Sequence, residues 1–453
     1  MNYRIIFKTI GTVLFVEAAC MVPSLIIALI YSDGDATAFV ISILTTVAIG
    51  YILMNIKAKT TEIYTRDGFA IAALGWIFIT AFGTLPFVLS GAIPSVVDAF
   101  FESASGFSTT GASILKDVEA APKGVLFWRS FTHWIGGMGV LILMIALVPS
   151  AKPYTLHILR AESPGPNPGK FVPKIGQSTK ILYLIYLGLT AIQVLFLVAG
   201  GMPLYDTLIH TFGSAGTGGF SNRNASVGAY DSLYIEIVIA VFMFLFGVNF
   251  SLHYMALKGS ILASLRDEEL RFYVGTVVIT ILLIAFNIHD AIYPSFGESL
   301  RYSSFTVSSI ITTTGYATTD FNLWPWFSKS IIYLLMFIGA SAGSTGGGIK
   351  CIRILLLFKI AKREITRIAH PRVVQTVKLN GHVVDEGALS GILTFFFLYI
   401  AILTISVLAV SFEGQDFVTT TTAVISSLSN IGPDLQAIIQ VSLILARLYY
   451  HWI

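Results

Sequence analysis

Four short stretches of this chain share residue types suited to one task, holding a dehydrated monovalent cation. They read Ser108-Thr109-Thr110-Gly111-Ala112, Gly216-Thr217-Gly218-Gly219-Phe220, Thr312-Thr313-Thr314-Gly315-Tyr316 and Ser429-Asn430-Ile431-Gly432-Pro433. Glycine permits backbone angles that let successive carbonyls face a common axis. Four such turns around one axis would replace a cation's hydration shell with oxygen dipoles. None of the four carries a carboxylate, which disfavours divalent ions. The candidate ligands are Thr109, Thr110, Gly111, Gly216, Thr217, Gly218, Thr313, Thr314, Gly315, Asn430, Ile431 and Gly432. Ordinary Gly/Thr loops need not follow a short apolar helix, yet each of these does.

A second glycine group lies at Gly339, Gly343, Gly346, Gly347 and Gly348, with Ser344 and Thr345 between them. Each glycine costs a helix about 1 kcal/mol relative to alanine, so the span 326–360 should unwind here. A phosphate-binding loop is excluded: Ile349 separates Gly348 from Lys350, and Cys351 follows. Arg447 lies within the last apolar stretch, where a charge is costly. It either snorkels from a helix end or faces a cavity. Arg129 and His133, four apart, share a helix face and read as interfacial contacts. Cys20 and Cys351 have no ligand-like spacing. No nucleophile–base pair, metal cluster or cofactor motif suggests an enzyme.

The elements that position these residues are membrane helices. Hydrophobic residues make up 55% and charged residues 12% of the 453, against roughly 25% charged in a soluble domain. Apolar stretches long enough to span a bilayer fall at 5–31, 36–54, 67–90, 124–149, 181–200, 233–257, 272–288, 326–360, 388–410 and 437–453. The first reads as a retained helix and not a cleaved signal. Short amphipathic segments at 98–111, 204–215, 298–311 and 417–428 precede the four turns. After an N-terminal hairpin, the order span, short helix, polar turn, span thus repeats four times. A non-spanning helix followed by irregular backbone is tolerated at membrane depth only when buried or lining a water-filled path. The fold class is an all-α polytopic membrane protein, with four membrane–pore-helix–membrane repeats around one pore. The boundaries are 1–60 for the hairpin, then 61–155, 156–260, 261–370 and 371–453 for the repeats. Most of the 28 lysines and arginines fall at the N-terminus and in clusters at 57–66, 152–180, 258–271 and 350–378. These ends should be cytoplasmic. A net charge of +3 reflects that sidedness and not nucleic-acid binding.

The whole chain resembles the Trk/Ktr/HKT superfamily of potassium transporters, most of all the Trk-type bacterial subunit. Besides the four turns, the matching stretches are Gly136-Gly137-Met138-Gly139, Arg160-Ala161-Glu162-Ser163-Pro164-Gly165-Pro166 and Ala342-Gly343-Ser344-Thr345-Gly346-Gly347-Gly348-Ile349-Lys350. The resemblance implies potassium translocation across a bacterial inner membrane, with one critical glycine per filter turn at Gly111, Gly218, Gly315 and Gly432. It implies that the 339–348 segment gates conduction beneath the filter, with Arg447 facing the cavity. It also implies a homodimer, a cytosolic nucleotide-binding regulatory subunit, contact with membrane lipid, and no organic cofactor. Cation-coupled symport with protons or sodium is the alternative. It predicts ionisable residues at mid-membrane, of which Glu102 and Arg447 are the candidates. The connection from Gly432 to the last span is shorter than its counterpart after Gly111.

Overall fold

The computed structural model describes residues 1–56, 65–139, 175–373 and 375–432. Tyr3–Tyr31 (α1) and Ala36–Met54 (α2) form the N-terminal hairpin. The two helices cross closely because glycines meet at the contact. A Cβ on Gly11 would stand 2.7 Å from the Gly50 carbonyl oxygen.

Repeat one contains Thr65–Gly83 (α3), Leu85–Leu89 (α4), Val96–Ser108 (α5) and Lys123–Gly137 (α6). The break expected from Pro86 falls just before it, at Thr84. A proline in a helix's first turn forgoes no hydrogen bond. Repeat two contains Ile175–Ala199 (α7), Leu204–Gly216 (α8), Leu233–Phe246 (α9) and Phe250–Leu257 (α10), and Ile261–Leu265 (α11) leads to the next repeat. Repeat three contains Glu268–Ile288 (α12), Phe296–Ile311 (α13), Trp326–Ile338 (α14) and Cys351–Ala369 (α15). A small hairpin, Lys378–Leu379 (β1) with His382–Val383 (β2), then precedes Glu386–Ser411 (α16) and Phe417–Ser429 (α17) of repeat four. The expected last span, with Arg447, and the 160–166 motif lie outside the described residues.

Among the described residues, six helices are long and apolar enough to cross a membrane, or seven if the bent pair α9 and α10 is one span. The distribution of polarity is inverted relative to a soluble protein. Apolar side chains such as Phe397 and Ile405 on α16 are exposed, whereas Thr419, Thr420, Thr421, Thr422, Ser426 and Ser429 on α17 are buried. Buried hydroxyls need partners, and the short helices supply them internally. The Thr422 Oγ1, for example, donates to the Val418 carbonyl at 2.8 Å. The chain is an all-α polytopic membrane protein.

Three of the four short helices begin at capping residues that accept free N–H groups, whereas α8 starts after Pro203 with no side-chain cap. Ser95 caps α5, Ser295 caps α13 and Asp416 caps α17. Two expected spans are corrected. The stretch 233–257 is not one helix but two, bent by 96° at Gly247-Val248-Asn249. The helix expected over 124–149 closes at Gly137, where the Gly139 N–H returns to the Gly136 carbonyl at 2.7 Å. Residues 140–149 lie outside the described residues. Repeat three also breaks at a glycine, Gly339. Each described return helix therefore stops a similar distance past its turn.

Candidate cation site

All four short helices end in the same backbone figure. One residue adopts left-handed geometry: Thr109 (φ 60°), Thr217 (φ 53°), Thr313 (φ 60°) and Asn430 (φ 64°). The next N–H returns to the carbonyl five residues back, Thr110 to Ser105, Gly218 to Gly213, Thr314 to Ser309 and Ile431 to Ser426, each at 2.9 Å. This is a Schellman-type helix end. The third residue is a glycine with positive φ: Gly111 (80°), Gly219 (77°), Gly315 (86°) and Gly432 (91°).

That sequence of angles corrects the register in repeat two. Gly219, not Gly218, stands where Gly111, Gly315 and Gly432 stand, and Gly216 is the last residue of its helix. Thr-Gly-Gly offers two glycines in a row, and only the left-handed position of Thr217 fixes which one completes the turn.

Three junctions between the turns are edge to edge. A Cβ on Gly111 would collide with the Gly218 carbonyl oxygen, and one on Gly219 with that of Thr314. One on Gly432 would lie 2.7 Å from the Thr110 carbonyl oxygen. Repeat one thus abuts two, two abuts three, and four returns to one. Only glycine leaves room for the neighbouring carbonyl.

A β-branched threonine in left-handed geometry is strained by about 1–3 kcal/mol, so the surroundings must hold it. The Asn430 Nδ2 donates to the Ser108 carbonyl at 2.6 Å, and its Oδ1 accepts from the Thr110 hydroxyl. Repeat four is thereby tied to repeat one. Tyr316 performs the same service between repeats three and two, its hydroxyl donating to the His210 carbonyl at 3.0 Å. Behind the first turn, Arg129 on α6 donates to Glu102 on α5 at 2.5 Å and to the Ser221 carbonyl at 3.1 Å. Its guanidinium lies 3.4 Å from the Phe220 ring centroid. Glu102 also accepts from the Ser113 hydroxyl and the Ile114 N–H. A buried pair this fully bonded fixes geometry. His133 stacks on Phe220 at 4.0 Å, and its Nδ1 lies 2.8 Å from the Gly106 carbonyl. The expected interfacial role of Arg129 and His133 matches these contacts.

The segment between α14 and α15 lies against the turns of repeats three and four. The Gly347 N–H donates to the Thr313 Oγ1 at 2.6 Å. A Cβ on Gly346 would stand 2.9 Å from the Thr312 carbonyl oxygen, and one on Gly347 2.5 Å from that of Ser429. Helix does stop here, as its glycines imply, at Ile338, and resumes at Cys351. The intervening chain is mostly buried, with Gly343 exposed, and it is well bonded. Ser341 and Thr345 N–H groups donate to the Gly247 and Phe246 carbonyls, which the break after α9 leaves free, and the Phe250 N–H donates to the Gly343 carbonyl. The Lys350 ammonium caps the Gly346 carbonyl. Gly339, Gly343, Ser344, Thr345, Gly346, Gly347 and Gly348 all lie in this segment, whereas Arg447 is outside the described residues.

Sequence reasoning passed over Gly219, Tyr316 and the second role of Asn430 as a bridge. A signal existed for the first, since Gly219 follows Thr217 at the spacing of Gly111 after Thr109. Among the described residues, no cluster of His, Cys, Asp or Glu could hold a metal ion. Cys20 and Cys351 are both free thiols. The site offers main-chain and hydroxyl oxygens, a donor set for a weakly hydrated monovalent cation.

Residues 36–443 match the family model TrkH, described as a cation transport protein. The chain is 38% identical to the Trk system potassium uptake protein TrkH of Salmonella typhimurium over 445 residues, which cover 96% of this chain and 91% of that protein. It is 32% identical to the Trk system potassium uptake protein TrkG of Escherichia coli over 438 residues, 95% of this chain and 90% of the relative. The crystal structure of the potassium transporter TrkH from Vibrio parahaemolyticus superposes with a TM-score of 0.86 at 31% identity, covering 99% of this chain and 96% of that one. With family match, relatives and fold in agreement, this chain belongs to the TrkH family of cation transport proteins.

Proposed function

We propose that the chain carries potassium ions across a bacterial inner membrane, through one passage lined by the four glycine turns. The observation that carries this reading is their shared backbone figure and edge-to-edge order within a single chain. Four helices present their partially negative ends towards those turns, which favours a cation there. Carbonyl rings free of carboxylates suit a monovalent ion. The printed names of the relatives supply potassium as the ion.

In this reading the filter comprises Thr109-Thr110-Gly111, Thr217-Gly218-Gly219, Thr313-Thr314-Gly315 and Asn430-Ile431-Gly432. Beneath it, residues 339–350 act as the gate, with Arg447 as a further barrier. The basic clusters and the N-terminus face the cytoplasm. A cytosolic nucleotide-binding subunit acts on that face, and two copies of the chain form a dimer. The potassium ion is cargo, and the chain performs no bond chemistry.

A second reading, cation-coupled symport, is favoured by Glu17. This carboxylate on α1 is buried, and neither oxygen has a hydrogen-bond partner among the described residues. Purified protein in proteoliposomes with defined potassium, sodium and pH gradients separates the two. Potassium should run down its own gradient with no accompanying proton or sodium flux. Obligatory co-movement of either ion overturns the channel reading.

A further inference from the structure

The start of α12 joins two parts of the protein that are far apart in the chain. Three consecutive acidic residues do so, Glu269 towards the segment between α14 and α15, and Glu268 and Asp267 towards Asn380. Glu269 is buried, and its Oε1 accepts the N–H of Ala342, in the segment between α14 and α15, at 2.6 Å. Glu268 pairs with Lys359 on α15, and its Oε1 accepts the Asn380 N–H at 2.8 Å. Asp267 caps α12, accepting the Leu270 N–H at 2.9 Å, while its other oxygen accepts from the Asn380 Nδ2 at 2.7 Å. Asn380 completes the joint by accepting the Glu268 N–H on its Oδ1 at 2.8 Å. Lys359 also donates to the Lys378 carbonyl at 2.7 Å.

Asn380 is the turn residue of the β1–β2 hairpin, in left-handed geometry, and is exposed with Gly381 and His382. It makes three hydrogen bonds to the first two residues of this corner. One of them takes up the Glu268 N–H, an orphan group of a helix N-terminus that must find some partner, and the other two go to the Asp267 and Glu268 carboxylates. Hydrogen bonds to charged groups are the strong class. The hairpin therefore cannot leave without loosening the first turn of α12, and Glu269 sits in that turn.

We infer that Asp267, Glu268 and Glu269 are positioning residues that let the exposed 378–383 hairpin set the placement of the 339–350 segment. This rests on the reading of that segment as the gate. A bound protein that displaces Asn380 would withdraw α12's first turn, and with it the acceptor that holds the Ala342 N–H. Among the described residues no hydrogen bond joins the hairpin to the four turns, so the effect is transmitted through the corner.

The test uses the full chain in proteoliposomes without any regulatory protein. Variants are Asn380→Ala, Glu269→Ala, Glu269→Gln, the Asn380→Ala/Glu269→Ala double, and a Ser344–Gly347 deletion. Asn380→Ala and Glu269→Ala should each raise potassium flux by at least about tenfold, the low end for losing a hydrogen bond to a charged group. The double variant should gain no more than the larger single effect, because both act through one joint. Glu269→Gln keeps an acceptor oxygen and should stay near the parent. Hydrogen exchange of the 339–350 amides should accelerate in Asn380→Ala, while exchange in α1 and α2 stays as in the parent. Unchanged flux and exchange in Asn380→Ala, beside a deletion that raises flux, would overturn the coupling and leave the gate reading intact. If the deletion itself conducts like the parent, the gate reading falls. The exchange result then decides the positioning claim alone.

Discussion

A side chain added at Gly219 and one added at Gly218 meet different obstacles. At Gly219 the obstacle is the Thr314 main-chain carbonyl, and the backbone is left-handed besides. At Gly218 it is the His133 ring, with its Cγ 2.5 Å from the added atom. A ring can be removed and a main chain cannot. Gly218→Ala should therefore recover potassium flux and selectivity when combined with His133→Ala, whereas Gly219→Ala should stay impaired in either background. Relative potassium and sodium permeabilities of the four variants decide this, and equal rescue of both would refute the corrected register. The Glu102–Arg129 pair makes a second residue-level prediction. Removing one member of a buried pair strands the other charge, at a cost of about 3–5 kcal/mol. Glu102→Ala should lower the thermal midpoint in detergent strongly. Glu102→Gln keeps an acceptor for the guanidinium and should lower it less.

At the level of elements, two broken helices complete one another. The break at Gly247-Val248-Asn249 frees carbonyls of α9, and the 339–350 segment brings the N–H groups that bind them. Neither break would be tolerated alone at membrane depth. Deleting Ser344–Gly347 removes the Thr345 donor and the Gly347 contact with Thr313, so partner-independent flux should rise. A parental rate in that variant would overturn the proposed gate. This mutual dependence also explains what the sequence conveyed and what it concealed. Long apolar runs announced α1, α2, α12 and α16, and hydropathy followed by a glycine turn announced the short helices. Gly339 to Gly348 announced their own break by number. A lone Gly247 within the apolar run from Leu233 to Leu257 could not, because one glycine in a helix is a small local penalty. What opens the chain there is a partner nearly a hundred residues away in sequence. The hairpin at 378–383 is four paired residues in a basic stretch and leaves no period to detect. Gly219 was masked by its neighbour Gly218, and only the spacing from Thr217 pointed to it.

For the molecule as a whole, the ring of turns is assembled by one chain, so its quadrants differ. Three left-handed positions hold threonine and the fourth holds Asn430. Asparagine tolerates left-handed geometry better than a β-branched residue, and here its amide also joins the first and last repeats. Asn430→Thr restores nominal symmetry but deletes that closure. It should weaken selectivity, read as relative permeability, more than Thr217→Asn does. The reverse order would mean that the closing contact between repeats four and one contributes little.

Because every quadrant is encoded separately, a change in this ring comes in single doses. In an assembly of four identical chains, one altered codon changes all four sides at once, and most such changes are ruinous. Here a mutation touches a quarter of the ring, and its effect can be graded, compensated or kept. If the ring is the filter, as proposed, a lineage can move ion preference by small steps, one repeat at a time. Asn430 is the kind of residue such a history leaves behind, an irregularity that a strictly symmetric ring could not hold on one side alone.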